Sequence, residues 1–485
     1  AAAAAGTVLL TNDGVLPLSE DTDIGIIGAF ADHPRYQGAG SSQVVPTRLD
    51  DARRHLEERF TGRVAYAAGY DPATGVSDAE QLRDAIDIAR SVTVPIVFVG
   101  LPSIAEAEGC DRASLGLPPG HDELVAAVCA ANPRTVVVLA NGAPVLLPWA
   151  DRPAAIVESY LGGQAGGGAI TDVLVGDVEP GGRLAETFPA SMVFPSEENF
   201  HDQRRQVQYR EGLYVGYRFH HSADVAPHFA FGHGLCYTTF EWTDPVVSGA
   251  GCDLSVELTV TNVGERRGSD VVQLYVRHLE STIDRPDREL RAFAKVHLDS
   301  GGSDTVGLAL DERAFSFFDV DANRWRVETG RYELLLAASS RDVRHRITVD
   351  IEGEVLDRAP SGGRGPGRSR FVADDEAFEA MLGRPIPAPT PVLPFTVNTV
   401  VDELGATRLG RVARSGFLRI AQRQAAKMLG DSPDPVLAML SDRMIREAPL
   451  RFLVSMSGGT GSVKAFEGLT KLLSTLRITG RGRNR

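Results

Sequence analysis

Two different spacings of apolar residues divide the chain. Over residues 7–190, apolar runs alternate with segments whose apolar positions recur every three or four residues. Ile24-Gly25-Ile26-Ile27-Gly28, residues 96–100, 136–140 and 155–160 read as buried strands, and residues 78–90 and 122–131 as amphipathic helices. Thr7-Val8-Leu9-Leu10 runs into an Asn12-Asp13-Gly14 turn. Alternation of this kind predicts an α/β domain, a mostly parallel sheet with helices on both faces, over residues 1–190. Residues 191–236 show no period, are rich in aromatics, His and Arg, and read as an irregular linker. From Thr238 the period becomes two, as in Leu254-Ser255-Val256-Glu257-Leu258-Thr259-Val260-Thr261, and further short runs cover 271–276, 291–298, 305–310 and 332–337. Residues 237–352 are therefore expected to form an antiparallel β-sandwich. A Gly/Pro/Arg/Ser stretch at 353–370 reads as a flexible linker, and 371–485 as a small helical region with apolar spacing over 412–429 and 434–445.

Charge sharpens that division. The net charge is −14, but residues 353–485 hold 13 acidic and 20 basic residues, so residues 1–352 carry −21 against +7 for the remainder. An acidic main body argues against nucleic acid as the principal partner. The basic end, residues 477–485, reads as a solvated tail. No apolar run reaches 18 residues, so no membrane-spanning helix and no membrane partner are expected. The opening Ala-Ala-Ala-Ala-Ala-Gly has neither a basic region nor a cleavage site, and a start without Met is read as that of a fragment. Cys110, Cys129, Cys236 and Cys252 are scattered without metal-ligand spacing, which favours a reducing, cytoplasmic compartment.

Candidate chemistry concentrates in Glu106-Ala107-Glu108-Gly109-Cys110-Asp111-Arg112, which follows the apolar run ending at Gly100. Three carboxylates and an arginine in a loop just past a strand stand where open α/β sheets bind their ligands. A solvated charged loop is the plain alternative. Gly38-Ala39-Gly40-Ser41-Ser42 is a second candidate. It lacks the third glycine of a dinucleotide loop, since Gln43 stands there, and reads either as a tight turn or as a ligand-facing loop. No G-x-S-x-G elbow, P-loop or H-E-x-x-H is present, no cofactor or metal is expected, and His220-His221 reads as a surface pair.

Taken together, these motifs resemble glycoside hydrolase family 3, the β-glucosidases and their relatives. The order Glu108-Gly109-Cys110-Asp111-Arg112 is similar to the family's acid/base loop. Residues 8–18, Arg35-Tyr36-Gln37-Gly38-Ala39-Gly40-Ser41-Ser42, residues 162–176, Pro180-Gly181-Gly182-Arg183-Leu184, residues 209–218 and Phe231-Gly232-His233-Gly234-Leu235 resemble its other landmarks, in the family's order. The resemblance implies an α/β sandwich domain followed by a fibronectin type III-like domain. It also implies Glu108 as the proton donor and Ser41 as a substrate contact. Asp111, on the same loop three positions on, is poorly placed to attack from the opposite side of a sugar and reads, with Arg112, as structuring the loop. Family members carry their nucleophile in a Ser-Asp-Trp-like motif on a preceding TIM barrel, and this chain has no such motif. The expectation is a β-glucosidase-like portion that gives its acid/base to an N-terminal barrel acting on a β-glucoside or oligosaccharide. A non-catalytic carbohydrate-binding or scaffold subunit is the alternative, and the sequence leaves homo-oligomerisation open.

Overall fold

The computed structural model describes residues 1–40, 43–108, 112, 114–192, 208–356, 374–388, 391–429, 435–452 and 463–474. The first layer system contains α1 (Ala2–Gly6), β1 (Val8–Asn12), β2 (Ile24–Ile27), α2 (Ala52–Arg59), β3 (Val64–Ala67), α3 (Ala79–Ser91), β4 (Val94–Gly100), α4 (Pro119–Ala131), β5 (Val136–Ala140), β6 (Ala155–Glu158) and α5 (Gly166–Val175). Their sheet runs β1-β6-β5-β4-β2-β3, parallel throughout except for β1, which pairs antiparallel with β6. Every residue of β2, β4, β5 and β6 is buried. That is the physical reason for their unbroken apolar runs, because helices cover a parallel sheet on both faces. β3 closes the far edge with three of its four residues only half-buried, and its run Val64-Ala65-Tyr66-Ala67 is short and rich in alanine. Helix α3 starts on a reciprocal capping box between Asp78 and Gln81.

The strand order positions the site. The chain leaves β2 for β3 on one side, then returns past it to β4 and continues to β5 and β6 on the other. The loops after β2 and β4 therefore diverge, and the sheet has its crevice at their carboxyl ends.

The α/β domain is followed by β7 (Phe188–Pro189), α6 (Tyr217–Ser222) and β8 (Pro227–Phe229), with β7 and β8 paired. His220 is buried, with Nδ1 2.9 Å from the Val225 carbonyl oxygen, and His221 is half-buried. The two are not the surface pair that the sequence suggests, because α6 packs its last turn inward.

The sandwich contains β9 (Phe240–Trp242), β10 (Val246–Ala250), β11 (Asp253–Asn262), β12 (Gly268–His278), β13 (Glu289–Leu298), β14 (Ser303–Leu310), α7 (Glu312–Phe315), β15 (Ser316–Asp319), β16 (Arg324–Val327), β17 (Gly330–Ala337) and β18 (Val343–Ile351). One sheet runs β10-β11-β14 with β9 also on β11, the other β13-β12-β17-β18, all antiparallel. Val256, Leu258, Val260, Leu274, Leu334 and Leu336 interleave between them, which accounts for the period of two. The two domains are joined through polar groups. Glu179 accepts the Ser269 N–H at 2.7 Å, Lys295 Nζ donates to the Gly181 carbonyl at 2.7 Å, and Arg183 pairs with Asp270 at 3.1 Å.

Beyond the sandwich lie α8 (Asp375–Leu382), α9 (Arg408–Leu429), α10 (Pro435–Glu447) and α11 (Val463–Ser474). Phe395, Val401, Leu404, Leu450 and Leu473 form a small separate core there. Among the described residues no helix is long and apolar enough to cross a membrane.

Candidate active site

Glu108 stands exposed in the loop that leaves the carboxyl end of β4. Two neighbouring loops converge on that segment. From the loop after β2, Ala39 bridges Ala107 in parallel fashion, and its carbonyl accepts the Glu108 N–H at 2.9 Å. From the same loop, the Arg35 guanidinium reaches under the β4 loop. Its Nε donates to the Leu101 carbonyl at 2.6 Å, Nη1 donates to Ser103 Oγ at 2.8 Å and to the Gln37 carbonyl at 3.0 Å, and Nη2 lies 3.5 Å from Glu106 Oε2. From the loop after β5, the Gly142 N–H meets both carboxylate oxygens of Glu106, at 3.0 and 2.9 Å. Arg112 donates to the Pro144 carbonyl at 3.1 Å, also in the loop after β5. Ser41 and Asp111 lie outside the described residues.

The charges around this loop are shaped by burial. Burial weakens the hold of the Arg35 and Arg112 guanidiniums on their protons, and in both cases Glu106 opposes the effect. At the end of β6, Glu158 is fully buried, and burial pushes its carboxyl up to about 8. Hydrogen bonds from the Tyr160 N–H (2.7 Å) and Asn141 Nδ2 (2.9 Å) work against that shift, while the charges of Glu106 and Glu186 add to it. Glu186 is itself raised, first by partial burial and then by Glu106. Tyr160 holds a left-handed backbone at φ 51°, a conformation costly for a non-glycine residue. The charge of Glu106 thus disfavours ionisation of both Glu158 and Glu186, and among the described residues Glu106 is the one of the three within ion-pair distance of an arginine.

A cleft of about 380 Å³ opens beside the loop after β2, lined by Asp32, His33, Arg35, Tyr36, Gln37 and Ser103 among others. Among the described residues no group of His, Cys, Asp and Glu is placed to hold a metal ion. The residue order that singles out Glu108 in the sequence gives no role to Arg35, Gly142 or Glu158. The signal for Glu158 was present, since a carboxylate closing the apolar run Ala155-Ile156-Val157 is buried by construction.

Residues 7–217 match the glycosyl hydrolase family 3 C-terminal domain, and residues 270–340 match the fibronectin type III-like domain. The chain belongs to glycoside hydrolase family 3. It is similar to thermostable β-glucosidase B of Acetivibrio thermocellus, with 38% identity over 451 residues, covering 90% of this chain and 58% of that protein. An exo-α-(1→6)-L-arabinopyranosidase of Bifidobacterium breve is 39% identical over 366 residues, covering 73% of this chain and 48% of the relative. The crystal structure of a family 3 β-glucosidase from Bifidobacterium adolescentis superposes with a TM-score of 0.70 at 39% identity, over 73% of this chain and 52% of that one. The chain thus spans about half the length of the relatives it matches, and what it matches is their C-terminal portion.

Proposed function

We propose that this chain supplies the general acid/base of a retaining β-glycosidase, Glu108, to a nucleophile on an N-terminal barrel. The observation that carries the reading is the place of Glu108. It is an exposed carboxyl at the carboxyl end of β4, beside the point where the strand order reverses, on a loop held by two neighbouring loops. In the first step a carboxylate attacks the anomeric carbon, the glycosidic bond breaks, and protonated Glu108 gives its proton to the departing oxygen. In the second step ionised Glu108 takes a proton from water as the water displaces the enzyme carboxylate, so the two inversions restore the configuration. Two carboxyls about 5–5.5 Å apart on opposite sides of the sugar are needed. Glu106 and Asp111 share a loop with Glu108, and Glu106 is further engaged by Arg35 and Gly142, so the second carboxyl is assigned to the barrel. The names of the relatives favour a terminal β-glucoside as substrate, with an arabinopyranoside as the other sugar to try.

The test is Glu108→Ala in the complete enzyme, barrel included. Turnover of a disaccharide should fall by about 10²–10⁴-fold. A nitrophenyl glycoside should still glycosylate the enzyme and show a burst, and azide should restore turnover as a glycosyl azide of retained configuration. Equal losses on good and poor leaving groups, without azide rescue, would reduce Glu108 to a loop-shaping residue.

A further inference from the structure

We propose that Glu106 is a positioning residue for Glu108, acting with Arg35 and the Gly142 amide as a clamp across three loops. The proposal rests on the acid/base reading of Glu108 and extends it to side chains that do not touch the sugar.

The clamp is built at both ends of the short segment between β4 and Glu108. At its start, Arg35 Nε holds the Leu101 carbonyl, and Nη1 holds Ser103. At its end, two residues before Glu108, the Glu106 carboxylate lies between Arg35 Nη2 and the Gly142 N–H. The side chains are largely withdrawn from water, at 7% exposure for Arg35 and 17% for Glu106, so this contact is weakly screened. Glycine at 142 lets the two groups approach without displacing a neighbour. A Cβ there would stand 3.1 Å from Glu106 Oε1 and 3.1 Å from Leu161 Cδ1, tighter than ordinary contact. The β4 loop is thereby referenced to β2 through Arg35 and to β5 through Gly142, two strands of the buried sheet.

A general acid must reach the leaving oxygen within hydrogen-bond distance, and misplacement by about 1 Å costs about a hundredfold. Glu108 is exposed, and its backbone N–H bond to Ala39 fixes one point of the loop. Glu106 fixes a second point two residues away. Each such tie removes freedom from the loop, and the one at Glu106 acts two residues from the acid whose position and direction matter.

The experiment compares Glu106→Gln, Arg35→Lys, Glu108→Ala and the Glu106→Gln/Glu108→Ala pair in the complete enzyme, with thermal melts to establish that each is folded. Glu106→Gln keeps the shape and an acceptor for Gly142 but loses the charge that Arg35 faces. It should slow a disaccharide by about 10- to 100-fold and a dinitrophenyl glycoside several-fold less, because only the poor leaving group needs the proton. Arg35→Lys should show the same leaving-group dependence. In the double variant, Glu106→Gln should cost nothing beyond Glu108→Ala, since a residue that acts through Glu108 has no effect once Glu108 is gone. Near-wild-type rates for Glu106→Gln, or a loss that is equal on both substrates and adds to that of Glu108→Ala, would overturn the proposal. Wild-type kinetics for Glu108→Ala would instead overturn the acid/base reading, whatever Glu106 does.

Discussion

Gly40 leaves no room between itself and Glu108. A Cβ on Gly40 would lie 2.5 Å from Glu108 Cβ and 2.9 Å from its Oε2, and Gly40 holds φ at 125°, where L side chains are strained. The glycine of the β2 loop is thus a wall of the niche in which Glu108 stands. Gly40→Ala should push Glu108 aside and strain the backbone at once. In the complete enzyme, kcat/KM for a disaccharide should fall by about 10- to 100-fold. Stability should fall by about 1–3 kcal/mol, read from thermal unfolding. A loss of stability with unchanged kinetics would mean that the niche closes again around alanine.

The chain alone should not hydrolyse glycosides, because it offers one candidate catalytic carboxyl where retention needs two. Purified residues 1–485 should give no turnover of an aryl β-glucoside above an uncatalysed control. Turnover that vanishes on Asp111→Ala would make Asp111 the nucleophile and remove the need for a barrel.

The joint between the domains allows a stability prediction. Asp270 is buried, and its carboxylate accepts from Arg183 Nη2 at 3.1 Å and Trp242 Nε1 at 2.8 Å. Arg183 Nε already lacks a partner in the structure. Asp270→Ala removes the acceptor and strands a largely buried guanidinium, which costs about 3–5 kcal/mol. Asp270→Asn, which keeps one acceptor oxygen, should cost less. Urea unfolding of the three proteins orders them, and equal midpoints would show that the joint is solvated.

Legibility in the sequence followed burial. β2, β4, β5 and β6 stood out because burial on both faces demands unbroken apolar runs, and β11 because burial on one face demands alternation. β3 did not, since it is only four residues long and two of them are alanine, nor did β10, which is mostly exposed, nor β18, whose Arg344-His345-Arg346 leaves its first half without an apolar alternation. Glu108 was visible because its loop has a recognisable order of residues. The clamp around it was not, because Glu106 lies 71 positions from Arg35 and 36 from Gly142, and only the sheet order brings them together.

The last prediction concerns Glu158 and the pH dependence of stability. Its carboxyl moves from an ordinary 4.5 to about 8 on folding, chiefly through burial. Between those values the unfolded chain is ionised at this position while the folded one holds the proton. The unfolded state binds fewer protons there, so this group's contribution to stability is intact below about pH 4.5 and is lost as pH rises towards 8. Glu158→Gln removes the titration while keeping the shape. The stability of the variant relative to the parent should therefore rise steadily from pH 5 to pH 8 and level off above, by an amount on the order of a few kcal/mol. Glu106 contributes to the shift through its charge, so in a Glu106→Gln background the window should end at a lower pH and the gain from Glu158→Gln should shrink. Thermal melts of the four proteins across that range measure both effects. Parallel curves for parent and Glu158→Gln would mean that Glu158 stays ionised in the folded protein, held by Asn141 and the Tyr160 amide against the cost of burial.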